Sequence, residues 1–285
     1  MFDGFKILLL YSIHILNFEY FENTINFCKK DGVLHKTVYQ YKGLSFHHFY
    51  DTDTIILYVS FHKYWNNGLH NYNNFNYNNF INSVNQFLNT FSINSYNCIL
   101  QNVEYGVNLN IKYNVNGLLD CLLFHENKTP LKRLKTDFRF EHQRYQLKIY
   151  NKSEHFKNIC DADNILRFEV KNERMIQLNK NGINNLNNLL NIDCLNFFNK
   201  QLLTHWNNIL MYDFTINKKM LNNSDVVALK DYQNPLYWQN LKPNQRHRPK
   251  QRLKQIIRDN SEQIQQYISN EITQTLKANC IMIND

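Results

Sequence analysis

The residues best suited to chemistry in this 285-residue chain lie between Tyr145 and Lys171. Tyr150 offers a phenol, Glu169 a carboxylate, and Lys148, Lys152, Arg167 and Lys171 offer positive charge. A tyrosine can attack a phosphorus atom and keep the energy of the broken bond in a phosphotyrosyl link. Its ordinary pKa is about 10, so nearby cations or a metal must favour the phenolate. Lys148 precedes Tyr150 by two residues and Lys152 follows by two, so both would share its face if the strand continues. With 18 tyrosines in the chain, residue type alone does not single out Tyr150. Glu104, Asn108 and Glu169 supply oxygen ligands of the kind Mg²⁺ or Mn²⁺ takes. Such an ion would neutralise phosphate charge in an in-line displacement, and Lys171 could add to that stabilisation.

The elements that must position these groups read as strands. Over 145–150, Tyr145, Leu147 and Ile149 alternate with Gln146, Lys148 and Tyr150. Over 165–171, Leu166, Phe168 and Val170 alternate with Ile165, Arg167, Glu169 and Lys171. An upstream segment repeats the pattern, with Val103, Tyr105, Val107 and Leu109 set against Glu104, Gly106 and Asn108. Residues two apart on a strand share a face. If the three segments lie in one sheet with apolar faces inward, the other surface gathers a tyrosine, carboxylates and cations. The ordinary alternative is a solvated outer face of an antiparallel sheet, on which Glu169 simply pairs with Arg167 or Lys171.

Elsewhere the pattern predicts strands within 4–20, 33–60 and 98–111, and a polar, aromatic loop over 61–80 with an Asn-Asn-Gly turn at 66–68. Helical spacing appears from Asn78 to Phe91, and in two later stripes, Ile183–Leu190 and Leu195–Trp206. Residues 118–125 are ambiguous, and 129–144 are basic. From about 231 the composition shifts to a proline-punctuated basic segment. After it, Leu253, Ile256, Ile257, Ile264, Ile268 and Ile272 mark one amphipathic helix to about Ala278. The expected fold is α+β, antiparallel sheet packed by helices. The expected division is 1–230 and a basic helical segment, 231–285.

Hydrophobic residues make up 43% of the chain and aromatics 14%, enough for a real core. The net charge of +8 favours an anionic partner, nucleic acid first and an acidic membrane surface second. Six scattered cysteines without a Cys-x-x-Cys pair suggest neither a zinc knuckle nor a disulfide scaffold, and fit a reducing, cytoplasmic setting. The apolar run from Ile7 is too short to span a bilayer, so no membrane association is expected.

His47 and His48 are adjacent, and on a regular strand they face opposite ways, so they cannot both hold one ion. His62 and Lys63 remain candidates for phosphate contact. Arg246, Arg248, Lys250 and Arg252, within the basic run 242–258, suit the backbone of DNA. The aromatics of 61–80 could stack on single-stranded bases. No glycine-rich phosphate loop, Gly-x-Ser-x-Gly or His-Glu-x-x-His is present.

Taken in order, these pieces resemble replication initiators of small circular DNAs, the broad group of pT181-type plasmid and filamentous-phage initiators. DGFKI at 3–7 is similar to the family's opening strand, and FHKYWNNGLHNYNNF at 61–75 to a loop of phage-type members. EYGVN at 104–108 resembles an Asp-x-x-x-Asp strand, KIYNK at 148–152 a Tyr-Asp-Lys segment that holds the nucleophile, and ILRFEVK at 165–171 an Arg-x-Glu strand. The likeness covers roughly 1–212. It implies rolling-circle initiation, in which Tyr150 nicks one origin strand and stays joined to the 5′ phosphate while the freed 3′ hydroxyl primes synthesis. It further implies that Glu104 and Glu169 hold the divalent ion, with Lys148 and Arg167 against DNA. Candidate partners are origin DNA, single-stranded or hairpin, a host helicase or polymerase, and a second copy of the chain. This sequence departs from the pattern where Glu104, Asn108 and Asn151 stand in place of aspartates. Two other readings stay open: a metal-dependent hydrolytic nuclease, for which Glu169-Val170-Lys171 is a Glu-x-Lys pattern, and a non-enzymatic DNA-binding protein.

Overall fold

The structure is a computed structural model that describes residues 2–11, 18–155 and 164–280. The N-terminal stretch gives β1 (Phe2–Leu9), β2 (Asn23–Cys28), β3 (Leu34–Tyr41), β4 (Leu44–Phe49) and β5 (Thr54–Ser60). Then come α1 (Phe61–Trp65), α2 (Tyr77–Thr90), β6 (Cys98–Asn110), α3 (Val115–Leu119), β7 (Leu122–His125), β8 (Leu131–Leu134) and β9 (Asp137–Glu141). The middle of the chain supplies β10 (Tyr145–Asn151), α4 (Lys152–His155), β11 (Ile165–Asn172), α5 (Ile176–Lys180), α6 (Ile192–Asn208) and β12 (Ile209–Met211). The last elements are α7 (Asn223–Tyr232), α8 (Pro235–Asn240), α9 (His247–Asn260) and α10 (Ile264–Cys280). The fold is α+β with a large antiparallel sheet, as the sequence pattern predicts.

The chain divides into two units, each assembled from separated segments. One holds 1–106, 170–199 and 278–285; the other holds 107–169 and 200–277. In the first, the strand order is β2-β3-β4-β5-β1-β6. β1 alternates buried and half-buried residues from Phe5 to Leu9. Its inward Phe2 and Phe5 meet Phe80 of α2 at ring-centroid distances of 4.9 and 6.0 Å, and Phe61 of α1 lies 5.5 Å from Phe5. Residues 61–65 thus form a helix where a loop is expected. Ser60 Oγ caps it by accepting from Lys63 N at 3.2 Å, and Phe61 and Tyr64 turn inward. The expected turn follows: Gly68 has φ +85, and a Cβ there would stand 2.8 Å from the backbone of Lys42, so only glycine fits. Asn76 caps α2. The expected strand over 4–20 is confirmed only to Leu9, and 12–17 lie outside the described residues.

In the second unit the strand order is β6-β11-β10-β9-β8, and β7 pairs with β12 in a small separate sheet. β6 and β11 pass through both units, so the three segments read as strands in the sequence are consecutive neighbours. One apolar core joins Leu123 and Phe124 of β7 with Leu229, Tyr232, Trp238, Leu253 and Ile256. Residues on either side of 230 share that core, which is why no division falls there. The expected single C-terminal helix is two, α9 and α10. Buried Asp213 is the reason: its Oδ2 accepts from Ser261 Oγ at 3.0 Å and from Ile264 N at 2.9 Å, capping a new helix where the backbone turns at Gln263, φ +54. No helix among the described residues is long and apolar enough to cross a membrane.

Candidate active site

The polar face of the second unit's sheet is built by register. β10 pairs antiparallel with β9, setting Gln146 opposite Glu141, Lys148 opposite Arg139 and Tyr150 opposite Asp137. Directly opposed residues project from the same face. On the other face, Leu147, Ile149 and Phe140 are fully buried. Alternation therefore holds β10 in place and leaves Lys148 and Tyr150 half-buried, with access to solvent.

Glu169 is the centre of this face. Tyr150 donates its hydroxyl to Glu169 Oε1 at 3.2 Å, and Arg167 Nε donates to the same oxygen at 2.6 Å. Lys148 Nζ stands 3.5 Å from Oε2. Arg167 also donates from Nη1 to Asn108 Oδ1 at 3.2 Å, which ties β6 into the group. Only 2% of Glu169 and 4% of Arg167 is exposed, so β11 does not present the solvated face expected of it; it holds a buried ion pair. Taking a carboxylate out of water costs several kcal/mol unless charges and donors surround it. Here two cations and a phenol do so.

Not every expected residue lies at this face. β10 ends at Asn151, and Lys152 opens α4 with 1% of its surface exposed, so it does not extend the strand face shared by Lys148 and Tyr150. Asn151 explains its own identity: its Nδ2 donates to Asn116 Oδ1 at 3.0 Å and its Oδ1 accepts from Glu154 N at 3.4 Å. An aspartate could accept but not donate. Lys171 sits in the first unit, 3.9 Å from Glu173. His62 is 4% exposed, bonded to Asn73 Oδ1 at 2.7 Å and stacked on Phe75, which takes it off the surface and corrects its reading as a phosphate contact. Lys63 beside it is exposed. His47 and His48 do face opposite sides of β4, and His48 is buried against Asp53.

The basic run is partly committed to structure. Arg246 donates to Trp238 O, Asn127 Oδ1 and Gln239 O, and lies over the Phe124 ring. Arg252 holds Asp225 at 2.7 Å. Lys250 is half-buried beside Phe124, and burial lowers its pKa. Arg248 is exposed.

Two residues at the site were not singled out for it in the sequence, Asp137 and Arg139. Arg139 grips Asp137 through Nε at 3.2 Å and Nη2 at 2.8 Å, next to Tyr150 and Lys148. The signal was the alternation Asp137-Phe138-Arg139-Phe140-Glu141.

In the first unit, Asp3 and Glu104 bring carboxylate oxygens within 4.8 Å of each other. β1 is irregular between Phe2 and Phe5, where it pairs with Tyr105 and Val103 of β6. A Cβ on Gly4 would stand 3.5 Å from the Glu104 side chain, an ordinary van der Waals contact. Asp3, 5% exposed, accepts from Ser60 Oγ at 2.7 Å and Asn71 Nδ2 at 3.1 Å. Along β6, Glu104 and Asn108 lie on one face.

No family model matches the chain, and no curated protein matches it in sequence. Among solved structures, a rolling circle replication initiator protein from Geobacillus stearothermophilus is similar over 82% of this chain and 96% of that one, with 11% identity and a TM-score of 0.43.

Proposed function

We propose that this chain is a rolling-circle DNA replication initiator that nicks and rejoins one strand at an origin, with Tyr150 as nucleophile. The observation that carries this reading is the hydrogen bond from Tyr150 to Glu169, a carboxylate also held by Arg167 and Lys148. Glu169 takes the phenol proton; the phenolate attacks phosphorus in line; the 3′ oxygen leaves and takes up a proton; the 5′ phosphate remains on Tyr150. Attack by a 3′ hydroxyl on that link reverses the step and rejoins the strand. Lys148 and Arg167 offset the charge on the phosphate oxygens. Glu104, Asn108 and Glu169, each with an oxygen donor of the kind Mg²⁺ or Mn²⁺ takes, would hold the ion. When bound, it would add charge neutralisation at the phosphate. Origin DNA is the partner this chemistry requires, and exposed Lys63 and Arg248 suit its backbone.

The test is a nicking assay on single-stranded and hairpin oligonucleotides, resolved on denaturing gels. The wild-type chain should leave a protein–DNA adduct. Tyr150→Phe should abolish both cleavage and adduct while binding stays within about twofold. Cleavage without any adduct would instead mark a hydrolytic nuclease.

A further inference from the structure

A second cluster in the same unit has no part in that chemistry. His125 ends β7, and its N–H and C=O bond those of Lys128 at 2.9 Å, closing a tight turn. His142 follows β9 at the turn into β10. His125 Nδ1 lies 2.9 Å from His142 Nε2. Glu126 Oε2 lies 3.9 Å from His142 Nδ1. One ligand atom from each of the three residues falls within 4.8 Å of the other two.

Two features set this group apart from a chance meeting of polar side chains. His125 is completely buried, yet its Nε2 has no hydrogen-bond partner, and neither has Nδ1 of neighbouring His205, whose ring centroid is 5.6 Å away. An ion on His125 Nδ1 would fix the proton on Nε2 without giving it a partner, so this orphan marks the polar character of the buried pocket and is not a ligand atom. A buried polar atom left that way costs about 1–3 kcal/mol. Glu126 sits at φ +52, a left-handed conformation that glycine and asparagine adopt far more readily than glutamate. The backbone thus accepts strain where the carboxylate approaches the imidazoles.

We propose that His125, His142 and Glu126 form a binding site for a first-row transition-metal ion, Zn²⁺ above all, separate from the oxygen-lined site near Tyr150. Two imidazoles and one carboxylate are the ligand set of zinc sites that keep a fourth position open. Two nitrogens on one tetrahedral ion, each at about 2.0–2.1 Å, stand roughly 3.3 Å apart. The observed 2.9 Å needs only a small opening of the pair. The ion would pin the turn at 125–128 to the turn at 142–145. Mg²⁺ prefers oxygen and would not compete.

The experiment is a Co²⁺ titration of the chelator-stripped full chain in excess Mg²⁺, read by visible absorption, with metal content measured after Zn²⁺ loading and desalting. One ion per chain, an intense low-coordinate cobalt spectrum and its displacement by Zn²⁺ are expected. Because buried His125 variants could fail to fold, the deciding substitutions are His142→Gln and Glu126→Gln, both at turns. Each should weaken Co²⁺ binding at least about tenfold with an unchanged circular dichroism spectrum. Binding of less than a tenth of an ion per chain, or wild-type affinity in His142→Gln, overturns the assignment. Both outcomes are read independently of DNA cleavage.

Discussion

Tyr150 and Glu169 come from neighbouring strands and meet oxygen to oxygen at 3.2 Å, with Arg167 bound to the same carboxylate atom. One carboxylate oxygen thus accepts from both a phenol and a guanidinium. The arrangement makes Glu169 more than an ion-pair partner, and its substitutions separate the two roles.

Glu169→Ala should destabilise the protein by about 3–5 kcal/mol, because it strands the Arg167 guanidinium in the interior. Glu169→Gln keeps the volume and an acceptor for Arg167 but is a far poorer base. It should lose less stability and at least about 100-fold in nicking rate. Urea denaturation and single-turnover cleavage measure the two effects. Equal nicking by the Gln variant and wild type would remove Glu169 as the base.

Metal dependence is expected if Glu104, Asn108 and Glu169 hold the ion as proposed. A chelator-treated sample should recover nicking with Mg²⁺ or Mn²⁺. Glu104→Gln should raise the Mg²⁺ concentration for half-maximal activity about tenfold or more. Full activity in excess chelator, or an unshifted Mg²⁺ curve in the variant, would count against the proposed ligands.

Acid should loosen the second unit. Burial pushes His125 down to about 3 and His205 to about 4, from an ordinary 6.5. Below pH 6.5 the unfolded chain therefore binds more protons than the folded one. Stability is largest above that point and falls as the pH drops toward 4. Each such histidine gives a slope of up to about 1.4 kcal/mol per pH unit. Urea midpoints between pH 7 and 5, measured with chelator present, should show the decline, and His205→Asn should flatten it. A midpoint that stays level would contradict the buried, neutral assignment.

The basic run should divide in two. Arg246→Met removes three hydrogen-bond donations and should cost about 1–3 kcal/mol of stability. Exposed Arg248→Ala should leave stability alone and reduce the slope of log K against log salt for DNA binding by about 0.7–0.9. Calorimetry and fluorescence anisotropy at several salt concentrations check the pair; an unaltered salt slope would take Arg248 off the DNA contact.

How far these features were legible in the sequence depended on the range over which they are determined. The alternation around Tyr150 is local, with a period of two, and it placed β10 and β11 correctly. The burial of Arg167 and Glu169 was not legible, because alternation marks a residue as polar without saying what covers it. Asp137 and Arg139 reach Tyr150 and Lys148 only through the register set by the turn at 142–145. Asn-rich composition hid α1, where Phe61, Tyr64 and Trp65 resemble strand or loop residues until the Ser60 cap is seen. The histidine cluster joins His125 to His142, 17 positions on, and no short metal-binding spacing links the two.

The apolar core that joins Leu123 and Phe124 to Trp238, Leu253 and Ile256 also has a consequence for biosynthesis. During translation β7 emerges long before its cover exists. Until Ile256 has cleared the ribosome, these side chains stay wet or are shielded by a chaperone. The second unit thus matures late, and a stalled or clipped chain ending near residue 230 would be sticky.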